Sequence, residues 1–124
     1  NDLIVKGKWT PACGAAGVDT LLSRKDNFTA LVASNDDMAI GAMKQLHEHG
    51  VSVPAQVSVI GFDDIALAAY TIPALSSVKI PVTEMIQETI GRLICLLGDG
   101  AFTPPKTFTG ELIQRDSVAP PASR

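Results

Sequence analysis

Two clusters of short polar side chains interrupt a largely apolar chain: Asn35-Asp36-Asp37 and Asp63-Asp64. A carboxylate accepts hydroxyl protons, and an amide both donates and accepts, so the set suits a ligand rich in hydroxyls. Asn and Asp also cap helices and open turns, which explains any one of them taken singly. Two such clusters at the ends of neighbouring strands favour a binding rim. Trp9, the only tryptophan, lies in the polar stretch 6–11 (KGKWTP). An indole there is either a core plug or a flat apolar platform for the face of a sugar ring. Phe62, at the end of an apolar run, reads as packing.

Other chemistries lack their parts. His47 and His49 fall at the far end of a helix from the acidic rim, beside Lys44 and Glu48 on a solvated face. Ser34 has no histidine within reach, and no GxSxG elbow occurs. The glycines of 14–17 (GAAG) lack a preceding strand and a Lys-Ser/Thr pair, so they do not make a phosphate loop. Cys13 and Cys95 stand apart, without CxxC or zinc spacing. Cys95, inside 92–97 (RLICLL), reads as a buried free thiol. No catalytic residue, metal site or cofactor is expected.

The elements that must hold the two clusters follow from period. Residues 28–34 (FTALVAS) form a short apolar run bounded by polar residues, a buried strand. From Asp36 the period changes: Met38, Ala39, Ala42, Met43 and Leu46 share one helical face. Ser34 or Asn35 supplies its N-cap, Asp36 and Asp37 complement the positive helix start, and Gly50 stops it. Residues 57–62 (VSVIGF) read as a second strand, closed by Asp63-Asp64. Strand, helix and strand make a βαβ unit with parallel strands. Helices over 15–22 and 83–97 flank it, the second capped by Thr83, with Met85, Ile86, Ile90, Leu93, Ile94 and Leu97 as its stripe. Further strands are expected at 77–80 and 107–113, loops at 98–100 and 104–105, and a loose tail at 119–124. In such open parallel sheets ligands collect beyond the carboxyl ends of the strands, where both polar clusters fall.

The chain has 124 residues, 46% apolar and 19% charged, enough for one core and unlike a disordered segment. Ten Lys and Arg against 13 Asp and Glu leave a net charge of −3 with no basic block, so these residues are not expected to grip nucleic acid themselves. No run is long enough to span a bilayer. A start at Asn1, with no charged-then-apolar leader, reads as a segment of a longer protein of the cytoplasm.

The strings 33–43 (ASNDDMAIGAM), 53–54 (VP), 57–64 (VSVIGFDD) and 73–78 (PALSSV) resemble the lactose/galactose repressor family of bacterial transcription regulators. The similarity runs from Gly7 to about Arg115 and is to the C-terminal part of the effector-binding core. The galactose-repressor branch looks closest, in particular regulators of β-glucoside (arbutin–salicin–cellobiose) operons. The resemblance implies an α/β fold: the C-terminal lobe of a periplasmic-binding-protein-like (type I) parallel-sheet sandwich with an effector in the cleft between lobes. It implies that Asn35 and Asp63 hydrogen-bond effector hydroxyls and that Trp9 stacks on the ring. It also implies homodimer contacts on the helix after Asn35 and near Tyr70 to Leu75.

By the same resemblance, residues 1–78 are the C-terminal lobe, 79–104 a crossover and helix of the N-terminal lobe, 105–118 return strands and 119–124 a tail. The arginine of the first lobe and the operator-binding headpiece fall outside the chain. Val82 stands where lactose-type members carry a cleft aromatic. The expected function is sugar sensing and dimerisation in a repressor, without catalysis or a membrane partner. Two alternatives use the same residues: a periplasmic-type sugar-binding protein, and a phosphoacceptor receiver using the strand-end acids, Lys79 and magnesium.

Overall fold

A computed structural model describes residues 3–24, 27–98 and 104–121. Its first helix, α1 (Pro11–Ser23), begins four residues earlier than the apolar pattern predicts. The cause is local: the Thr10 hydroxyl accepts the Cys13 N–H, and Pro11 occupies the first helical position, where a missing N–H costs nothing. The glycines of 14–17 therefore lie within a helix.

Strand β1 (Ala30–Val32) leads into α2 (Asp36–Glu48), and β2 (Ser58–Phe62) follows. Asn35, rather than Ser34, caps α2, its Oδ1 accepting the Met38 N–H at 2.9 Å. After the helix, Gly50 adopts φ 71°, the left-handed stop that a glycine takes without steric cost. A short 3₁₀ helix (Ala66–Tyr70) precedes β3 (Ser76–Lys79). Then come α3 (Val82–Leu97) and β4 (Glu111–Ile113). The sheet order is β1-β2-β3-β4, with β1, β2 and β3 parallel and β4 antiparallel on β3. The expected βαβ unit is present, with Val32 opposite Ile60.

The core is the layer between this sheet and its helices. Val18 of α1, Leu46 of α2, Val59 of β2 and Leu75 ahead of β3 are all fully buried. Two glycines let the helices meet: a Cβ on Gly14 would lie 2.0 Å from the Met38 carbonyl, and one on Gly41 1.8 Å from that of Pro11. Beyond β4, Ser117 locks the return segment to the sheet. Its hydroxyl donates to the Val59 carbonyl and accepts the Ser76 N–H. The expected loose tail does not begin at 119, because the Ser58 hydroxyl exchanges two hydrogen bonds with the Ala119 backbone. Residues 122–124 of that tail, and 99–100 of the expected 98–100 loop, lie outside the described residues.

Helix α3 departs from expectation at its start. Pro81, not Thr83, precedes it, and no side chain caps it. Proline's fixed φ suits a helix entrance, and the Pro81 carbonyl accepts the Met85 N–H, drawing Val82 and Thr83 into the first turn. None of its residues is buried. Cys95 is consequently an exposed free thiol instead of a buried one. It lines a shallow pocket with Glu84, Gln87, Glu88, Arg92 and Lys106, away from the apolar stripe.

Candidate functional site

Parallel pairing puts the ends of β1 and β2 side by side. Val32 is level with Ile60, and Asn35 and Asp63 each follow three residues later. Asn35 is buried, and Oδ1 is taken by the helix cap, so its amide nitrogen is the group it can turn toward a hydroxyl. Asp63 is exposed at the rim. Partial burial, then the negative charges of Asp36 and Asp37, hold its carboxyl above the ordinary aspartate range.

The backbone beneath Asp63 is unusual. Asp63 has φ 103° and Asp64 φ 54°, both in the left-handed region that non-glycine residues seldom adopt. Three consecutive amides are each tied to a different acceptor. The Asp63 N–H donates to the Val78 carbonyl at 2.9 Å. The Asp64 N–H donates to the Ser77 hydroxyl at 3.1 Å, and the Ile65 N–H to Asp36 Oδ2 at 2.8 Å. Ser77 in turn donates to Asp36 Oδ1 at 2.6 Å.

This corrects the picture of a rim with four free carboxylates. Asp36 is fully buried and turned inward, seated where β2 carries Gly61. Asp64 is paired with Arg115 at 2.6 Å, and that guanidinium also donates to the Leu75 carbonyl. What remains at the rim is Asp63, with the half-buried Asp37 beside it. Sequence reasoning missed the division of labour within each acidic pair and gave Arg115 no role. The readable signals were Gly61, a missing side chain in a buried strand, and Ser77, a small hydroxyl in another. Among the described residues no group of three or more His, Cys, Asp and Glu is arranged to hold a metal ion.

Trp9 immediately precedes the cap of α1 and is 74% exposed, so it does not plug the core of this chain. The irregular segment leading to it passes close to the start of α2: a Cβ on Gly7 would lie 3.5 Å from Met38 Cε, in the turn that Asn35 caps. A cavity of about 370 Å³ opens beside this segment, lined by Val5, Gly7, Val18, Leu31, Ser34 and Met38 among others. It runs along β1 and includes none of Trp9, Asn35 and Asp63. Phe62 is 39% exposed, so it is only partly packing. His47 and His49 are exposed, and His49 pairs with Asp19 between the two helices.

A parallel-dominated open α/β sheet with polar groups at adjacent strand mouths defines a class of binding domain. Residues 3–118 match the periplasmic binding protein-like domain, and the chain belongs to that family. Its relatives are LacI-family transcriptional regulators. It is 73% identical over 120 residues to the HTH-type transcriptional regulator AscG of Escherichia coli strain K12, covering 97% of this chain and 36% of that protein. The crystal structure of a LacI-family sugar-binding transcriptional regulator from Escherichia coli, complexed with phosphate, superposes with TM-score 0.88 at 73% identity. That match covers 97% of this chain and 44% of that one. The lac repressor dimer bound to operator and the anti-inducer ONPF gives TM-score 0.84 at 29% identity, over 90% of this chain and 39% of that one. The chain thus spans about a third of the length of the curated regulator it matches. The family assignment sets aside the receiver alternative, and two of its four strand-end acids, Asp36 and Asp64, are here engaged in internal bonds.

Proposed function

We propose that this chain is the effector-binding and dimer-forming portion of a sugar-responsive transcriptional repressor, which binds operator DNA through a headpiece outside these residues. The observation that carries the reading is the placement of Asn35 and Asp63 at the mouths of adjacent parallel strands, with Asp63 left exposed while Asp36 and Asp64 are engaged internally. A rim carboxylate accepting hydroxyl protons contributes about 1.5–3 kcal/mol per charged hydrogen bond. The exposed indole of Trp9 supplies the apolar counterpart, covering the C–H face of a pyranose.

Residues 1–78 are the C-terminal lobe of the effector core, and 79–104 cross to the N-terminal lobe. Residues 105–118 return, and 119–124 lead out. The unburied apolar stripe of α3 supports this division, because such a stripe belongs against a second body. Sugar closes the cleft and alters the arrangement of two protomers, and a coupling of about 1–3 kcal/mol suffices to change operator affinity. The dimeric, operator-bound lac repressor is the pattern for both partners. Action on operator DNA puts the protein in the cytoplasm, and no helix among the described residues is long and apolar enough to cross a membrane. The mechanism requires binding and rotation, with no bond made or broken. The effector is a glucoside or galactoside, β-glucosides first by the resemblance.

Calorimetric titration of the full-length protein with β-glucosides and galactosides, with Trp9 fluorescence followed in parallel, tests the reading. One class should bind, and Asp63→Ala should weaken it at least tenfold, about 1.4 kcal/mol. Trp9→Phe should retain more affinity than Trp9→Ala. Asp63→Ala binding the active sugar as well as wild type would overturn the site.

A further inference from the structure

We infer that Asp36 is a positioning residue for the effector site, fixing the Asp63 carboxyl relative to Asn35 through a clamp shared with Ser77. The inference rests on the reading of Asp63 as an effector contact. Asp36 follows Asn35 directly, so its backbone moves with the mouth of β1. Its carboxylate reaches the mouth of β2, accepting the Ile65 N–H at 2.8 Å and the Ser77 hydroxyl at 2.6 Å. Ser77 passes the grip on by accepting the Asp64 N–H at 3.1 Å. The two candidate contacts are therefore joined by one buried carboxylate.

The clamp has work to do at residues 63 and 64. Both hold positive φ without being glycine, and such a conformation persists only where surrounding bonds over-determine it. Release of the 64 and 65 amides would let the turn relax and swing Asp63 away from the rim. Asp36 is not needed to start its helix, because Asn35 already caps it. Its seat is specific: a Cβ on Gly61 would come 2.1 Å from Asp36 Oδ1. A fully buried charge is costly unless every lone pair is used, and an apolar residue would hold two elements together as well. Directional bonds to a strained turn are what an apolar residue cannot supply.

The test is a double-mutant cycle in the full-length protein, probed with methyl β-glucoside and methyl β-galactoside. Asp36→Asn leaves one acceptor oxygen for two donors, and Ser77→Ala removes the relay. Each should raise the Kd of the bound sugar about tenfold, while operator affinity without sugar stays within about twofold of wild type. In an Asp63→Asn background the same substitutions should change sugar Kd by less than about twofold, since the residue they act through is already disabled.

Equal losses in both backgrounds, or no loss in either, would overturn the inference and leave the Asp63 assignment standing. Unchanged binding by Asp63→Asn alone, or no binding of either probe by wild type, would remove the underlying reading and this inference with it. If Asp36→Asn does not fold, Ser77→Ala carries the cycle. Failure of both to fold would assign the clamp to folding and overturn its positioning role.

Discussion

Asp63 illustrates a residue whose exposure to a ligand sets it against the stability of its own fold. Partial burial and the neighbouring charges of Asp36 and Asp37 raise its pKa above the unfolded value. The folded state then binds this proton more readily than the unfolded state, so ionised Asp63 opposes folding. Its contribution to stability rises as pH falls through the raised folded pKa, and levels off below the unfolded pKa near 3.9. Effector binding runs the other way, because a protonated carboxyl loses its charged hydrogen bonds. We expect sugar affinity to fall on mild acidification at a pH where an ordinary aspartate is still ionised. Asp63→Asn should weaken sugar binding, remove that pH dependence and slightly raise Tm. Titrations and melts of both proteins across the acid range check this, and an unchanged pH profile in Asp63→Asn would refute it. Topology brought both polar clusters forward, since strand ends are where a parallel sheet presents ligands, while the family resemblance singled out Asn35 and Asp63 and gave Trp9 its stacking role. Neither showed which member of each acidic pair turns inward. That choice depends on the register that puts Gly61 opposite Ser77, a relation between strands with no local trace.

At the level of elements, the helices and strands were legible wherever local chemistry set them. The α2 start was readable from Asn35 and two acids, and the early start of α1 is explained by Thr10-Pro11, a cap that apolar periodicity does not register. Spacing between the two helices was less visible, because it rests on Gly14 and Gly41, each pressed against a carbonyl of the other helix. Gly17 in the same helix is a built-in control, with only Val5 Cγ1 at 4.0 Å from where its Cβ would stand. Glycine-to-alanine gains up to about 1 kcal/mol of helix propensity, while overpacking costs about 1–3 kcal/mol. Gly17→Ala should therefore stabilise the protein modestly, and Gly14→Ala and Gly41→Ala should destabilise it, by up to about 2 kcal/mol once the propensity gain is subtracted. Urea midpoints at constant m-value would show the opposite signs. A common sign for all three would mean that the helix crossing is looser than its glycines imply.

For the whole molecule, the telling contrast is between a core that is complete and a helix that buries nothing. Val18, Leu46, Val59 and Leu75 fill the space between sheet and helices. On α3, Ile86, Ile90, Leu93 and Leu97 form a stripe at helical spacing and are 51–79% exposed. A stripe so regular is the mark of a buried face, and under the proposed division at residue 79 it is the face a second lobe would cover. The same pair of substitutions should then act oppositely in two contexts. In this 124-residue chain, Leu93→Lys with Leu97→Lys should suppress concentration-dependent self-association, measured by sedimentation, without lowering Tm. In the full-length protein the pair should destabilise by at least about 2–5 kcal/mol, since each change removes a buried leucine and brings a charge against apolar surface. Sugar affinity should fall with it, because a cleft closes only if both its walls are held. An equal effect in the two contexts would mean that α3 meets solvent in the intact protein, and the division of the chain between two lobes would have to be redrawn.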